Sequence, residues 1–222
     1  MRIWSLLPAA LLCCTFAQAA DSGFLSDYSQ LRETPRRPAL LTFTLPDVRP
    51  YRTSKIYLAP VEIRLSTDGY QASSADRRRM GSEMRRMLIR ELSPVFKVVD
   101  VEGPDAMPLR VALTEVKMDT PGHYVPRLAG TAARDVRVSV NGQAPFWVQS
   151  ATLEFEGFAP HKAARLIALV DSEPLPGAGA PVRWDRALEA LAISVRRLVG
   201  VIQDQRQRDA EAKPEPAPPP ER

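Results

Sequence analysis

Thiol chemistry is missing from the body of this 222-residue chain. Its only cysteines, Cys13 and Cys14, fall in the first fifteen residues, so beyond them no disulfide, zinc cluster or cysteine nucleophile can form. Histidine is almost as scarce, with two in the whole chain. His123 stands four residues after Asp119, but Pro121 and Gly122 make that stretch a turn with no third ligand nearby, and His161 lies between Pro160 and Lys162 without a local partner for proton transfer. No metal site and no catalytic residue is assigned to either. The glycine-rich phosphate loop, the dinucleotide-binding glycine pattern, the zinc-protease helix motif and the nucleophile elbow are all absent, and no cofactor is implied. An excess of charge is lacking too: 30 basic against 26 acidic residues give +4, too little to indicate obligatory nucleic-acid binding.

What is present fits one soluble domain, with 45% hydrophobic and 25% charged residues. Arg2 opens a short apolar run over residues 6–16, briefer than the roughly 20 residues of a membrane helix. It ends in Ala17-Gln18-Ala19, a small-residue cleavage pattern that would leave Ala20 as the first mature residue. Residues 1–19 therefore read as a secretory signal peptide, with a periplasmic product and no transmembrane helix in the mature chain. The competing reading is an outer-membrane lipoprotein anchored through Cys13 or Cys14, each preceded by a residue larger than lipidation signals prefer.

Residues 20–54 mix Ser, Pro and Arg with short apolar words and show no sustained period, which predicts an extended N-terminal arm. Over residues 55–65 the apolar positions fall at Ile56 and Leu58, then resume one step out of phase at Val61, Ile63 and Leu65, a strand with a bulge at Ala59-Pro60. Ser73 followed by Asp76 resembles a capping box, and Met80, Met84, Met87, Leu88 and Leu92 recur at helical spacing until Ser93-Pro94. Residues 96–101 and 109–118 read as two adjacent strands of a meander. Val136, Val138 and Val140 alternate with polar residues before an Asn141-Gly142 turn, predicting a hairpin with one wet face. The returning strand turns Ala151, Leu153 and Phe155 one way and Glu154 and Glu156 the other, with a Gly157 turn before residues 166–170. Trp184, Leu188, Leu191, Val195, Leu198 and Ile202 predict a long helix over 184–207 with one buried stripe.

Residues 55–208 are thus expected to form a single α+β domain, a mixed or antiparallel sheet with two main helices on one face, followed by a disordered Pro/Glu/Ala tail over 209–222. The candidate partner surface has two parts. One is the basic outer face of the first helix, Arg78, Arg85 and Arg86, set against the alternative of a solvated face in a chain with 25 Arg and 5 Lys. The other is the arm, at Gly23, Phe24, Leu25 and Tyr28, whose apolar word either packs on the domain or waits for a partner.

Three stretches resemble a family of bacterial secreted lipoproteins known as domain of unknown function 3313. They are residues 22–31 (Ser22-Gly23-Phe24-Leu25-Ser26-Asp27-Tyr28-Ser29-Gln30-Leu31), Tyr51 with residues 55–62, and Val98-Val99-Asp100 with Gly103-Pro104-Asp105 leading into residues 109–116. A fourth, residues 151–155 followed by 166–171, lacks the Thr-Gly turn typical of that family. The resemblance implies export and an envelope location, and carries no catalytic residue. The function expected is non-catalytic binding of a partner protein or an anionic envelope component. The rival is an enzyme whose site is assembled from scattered Asp, Glu and Tyr residues.

Overall fold

The computed structural model describes residues 21–35, 37–45, 54–119, 146–160, 164–175 and 181–211. Among them the chain forms, in order, β1 (Arg32–Thr34), β2 (Arg37–Thr44), β3 (Lys55–Leu58), β4 (Glu62–Leu65), α1 (Ser74–Leu92), β5 (Lys97–Val99), β6 (Ala106–Asp119), β7 (Trp147–Phe158), β8 (Arg165–Asp171), β9 (Val182–Arg183) and α2 (Trp184–Glu211). The cleavage pattern with Cys13 and Cys14, both histidines, the Asn141-Gly142 hairpin and residues 212–222 lie outside the described residues.

The 14-residue β6 is the spine of the sheet. On one edge it pairs antiparallel with β7, from Leu109 to Asp119. On the other it takes β3 and β4 in parallel, end to end. Leu58 stands opposite Leu109 and Glu62 opposite Ala112, so four steps on one strand match three on the other. That extra residue is the phase slip seen in the apolar pattern, and the Ala59 N–H still reaches the Leu109 carbonyl at 3.0 Å. The sheet order is β1-β2-β8-β7-β6-β3-β5, with β4 on β6 and β9 on β7. It is a mixed sheet, and the molecule is a single α+β domain.

Three expectations change. β5 and β6 are not neighbours in a meander, because β3 inserts between them and runs parallel to both. The helix between β4 and β5 returns the chain in the same direction, which a hairpin cannot do. Gly157 is not in a turn but inside β7, where a Cβ would stand 2.8 Å from Ile167 Cγ2 on β8, so only glycine lets the two strands close. Nor is the whole of residues 20–54 an arm outside the domain, since β2 pairs antiparallel with β8 and extends the sheet.

The helices cover one face. At α1 the Ser73 hydroxyl accepts from the Asp76 amide at 3.1 Å, and the Ser93 amide closes the last turn on Ile89. Met80, Met84, Leu88 and Leu92 of α1 meet Leu191, Val195, Leu198 and Ile202 of α2 over Val111, Leu113, Leu153 and Phe155 in one buried cluster. The indole N–H of Trp184 donates to Glu83 at 2.7 Å and ties the start of α2 to α1. The helical state of α2 continues to Glu211, beyond the expected end at residue 207.

Candidate functional site

Alternation along the strands decides what the face away from the helices carries. Odd positions of β6 and β7, such as Val111, Leu113, Leu153 and Phe155, enter the main core. Even positions therefore point to the other face, bringing Arg110, Ala112 and Thr114 beside Glu154 and Glu156, with Ala168 and Val170 next along. A face with two carboxylates would be expected to stay wet. Instead Glu154 and Glu156 are 1% and 0% exposed, and Thr114 is fully buried.

Residues 22–31 cover them. Gly23 adopts φ +68, and short local bonds from the Gly23 amide to Asp21 (2.9 Å) and the Ser29 amide to Asp27 (2.8 Å) shape the segment. Phe24, Leu25 and Leu31 bury against Ala112, Ala168 and Val170 in a second cluster, flanked by Tyr28, Leu41 and Phe43. Two guanidinium groups approach the ring of Phe24, Arg110 at 4.7 Å and Arg64 at 5.5 Å from its centroid. Burial of Phe24 and Leu25 alone contributes roughly 1.5–3 kcal/mol per side chain.

Every carboxylate oxygen of the glutamate pair meets a donor from the chain itself. Glu154 accepts from the Ser22 hydroxyl at 2.5 Å, the Thr114 hydroxyl at 2.5 Å and the Tyr28 phenol at 2.6 Å. Glu156 accepts from the Ser26 amide at 2.9 Å, the Ser26 hydroxyl and Arg110 Nη1 at 3.1 Å, with Arg165 Nη1 at 3.6 Å. Arg165 also donates to the Asp27 carbonyl and to Gln30 at 3.0 Å, and stacks on Phe43. Arg64 closes the upstream end by donating to the Ser22 carbonyl at 3.0 Å. An uncompensated buried carboxylate costs several kcal/mol, so these donors are what make the burial sustainable. Burial, then the bond to Glu154, pushes the Tyr28 phenol above 10. The two hydrogen bonds from Ser29, reinforced by Arg165, lower the Asp27 carboxyl. Chemically, the cluster fastens a segment to a sheet.

The sequence-predicted residues divide in two. Phe24, Leu25, Gly23 and Tyr28 belong to this covering layer, so the apolar word packs on the domain. Of the basic helix, Arg85 pairs with Asp100 at 2.9 Å, Arg79 pairs with Glu83 at 3.7 Å and stacks on Phe146, and Arg90 pairs with Glu91. Arg78 and Arg86 are exposed, and neither forms an ion pair among the described residues. Sequence reasoning missed Ser22, Ser26, Arg110, Thr114, Glu154, Glu156 and Arg165 as one constellation. The available signal was cross-strand: antiparallel pairing of β6 with β7 sets Arg110 opposite Glu156.

A third buried carboxylate, Asp171, lies on the helix side, accepting from Ser194 of α2 at 2.8 Å and pairing with Arg37 at 3.1 Å. Among the described residues no three His, Cys, Asp or Glu side chains gather as metal ligands, and no helix is long and apolar enough to cross a membrane.

The model of a protein family of unknown function, DUF3313, matches residues 20–187, so the match takes in the covering segment as well as the sheet. No curated protein matches the chain. Among solved structures, a PelC dodecamer from Paraburkholderia phytofirmans is 10% identical over 71% of this chain and 96% of its own, with a TM-score of 0.37. A homolog of a neuraminyllactose-binding hemagglutinin from Helicobacter pylori is 10% identical over 73% and 92%, at 0.37. A DUF4136 family protein from Bacteroides thetaiotaomicron is 11% identical over 77% and 95%, at 0.36.

Proposed function

We infer that this chain, which belongs to the DUF3313 family of proteins of unknown function, serves as an exported, non-catalytic binding protein of the bacterial envelope. The observation that carries this reading is the fate of the place where Tyr28 and two buried glutamates converge. An enzyme assembled from scattered acidic and tyrosine residues would use such a cluster, yet here Ser22, Ser26, Tyr28, Thr114 and two arginines occupy all four carboxylate oxygens. Among the described residues, the helical layer offers a surface for a partner. On it, Arg78 and Arg86 present guanidinium groups without ion-pair partners among the described residues, a chemistry suited to carboxylate or phosphate groups.

The experiment is crosslinked affinity capture from native envelopes with the wild type and with Arg78→Gln/Arg86→Gln. The double variant should melt like the wild type, since exposed charges contribute within about 0.5 kcal/mol, and should capture several-fold less. High salt should weaken wild-type capture in the same way. Capture unchanged by the substitutions and by salt would contradict the basic face as the partner surface. Intact mass of the exported chain tests the address: an unmodified N-terminus at Ala20 supports a periplasmic protein, whereas diacylglyceryl on Cys13 or Cys14 would make it a lipoprotein.

A further inference from the structure

Residues 22–31 are held the way a bound peptide is held. No main-chain ladder joins this segment to the sheet among the described contacts, and strand pairing begins only at Arg32. The grip comes from side chains of the sheet, the two glutamates taking Ser22, Ser26 and Tyr28, Arg64 and Arg165 reaching the Ser22 and Asp27 carbonyls, and Phe24 lying against Arg64 and Arg110. The apolar cluster beneath the segment is separate from the core beneath the helices, so the segment can leave without opening the helical layer. Its partners are also remote in the chain, with Tyr28 and Glu154 126 positions apart and Ser22 and Glu154 132. The segment and its acceptor are therefore joined only through a long intervening stretch of chain.

We propose that the sheet face under the arm is a peptide-recognition surface that takes residues 22–31 of a second copy as well as its own, so that two molecules assemble by exchanging arms. The chemistry favours exchange over an open state. With the arm gone, Glu154 keeps only the Thr114 hydroxyl and Glu156 loses both donors of Ser26, so the face calls for an occupant with the same hydroxyls and aromatic ring. A second copy supplies them without any new contact, since the exchanged site repeats the internal one.

The test uses two full-length variants that are defective in opposite halves. Phe24→Ser/Tyr28→Phe damages the arm and leaves the acceptor native, while Glu154→Leu damages the acceptor and leaves the arm native. Native mass spectrometry should show each alone as a monomer and the mixture as a heterodimer holding one intact arm–acceptor site. Two folded variants that stay monomeric when mixed would overturn the proposal. Should either variant fail to fold, the milder Tyr28→Phe chain is titrated with a labelled peptide of residues 21–31. Binding at least tenfold tighter than to the wild type, whose site is filled by its own arm, is expected; equal affinity would overturn the exchange.

Discussion

Glu115 is the described non-glycine residue held at positive φ, at +49 in the middle of β6. It occupies a bulge: Thr114 to Lys117 on β6 spans three steps while Thr152 to Ser150 on β7 spans two. The extra residue has to turn left-handed for pairing to resume, at a cost of about 1–2 kcal/mol for a side chain with a Cβ. Glu115 is exposed, so replacing it removes no burial. Glu115→Gly should therefore stabilise the domain by about 0.5–1 kcal/mol, net of the extra entropy glycine brings to the unfolded chain, as read by urea unfolding. Tyr28 sets a second expectation. Its folded value lies above the ordinary 10, so the stability it adds is fully present below pH 10 and is lost as pH rises through the folded value. Above pH 10 the wild type should lose stability more steeply than Tyr28→Phe, and parallel alkaline profiles for the two would show that the phenol is not held as described.

Gly157 shows how an element can depend on one missing carbon. A Cβ there meets Ile167 Cγ2 at 2.8 Å and Met107 Sδ at 3.5 Å, so Gly157→Ala should push β8 from β7 and cost about 1–3 kcal/mol, measured as a fall in the urea midpoint. The helices were legible in the sequence because their information is local. Ser73 and Asp76 mark a start, Ser93-Pro94 a stop, and Met80, Met84 and Leu88 mark the buried face within a few turns. The bulge between β3 and β4 was legible for the same reason. The insertion of β3 between β5 and β6 was not, since short apolar strands carry no sign of whether they pair parallel or with a neighbour in sequence. Nor was the role of Glu154 and Glu156. Alternation placed them opposite Leu153 and Phe155, which is right, but only the distant Ser22, Ser26 and Tyr28 decide that this second face is dry.

At the scale of the whole molecule, the sheet is a wall between two unlike layers. On one side, two helices bury a large apolar core. On the other, ten residues at the start of the domain form a thin layer that is part apolar and part ionic. The thin layer depends on the carboxylates beneath it, because hydrophobic contact is confined to Phe24, Leu25 and Leu31 with half-buried help from Tyr28. The most direct test of that dependence is a double-mutant cycle in urea between Tyr28→Phe and Glu154→Leu. A fastener made by the phenol and the carboxylate predicts a coupling of about 1–3 kcal/mol, with the double variant scarcely less stable than the worse single one. Effects that add to within about 0.5 kcal/mol would mean that the two groups stand side by side without holding the arm to the sheet.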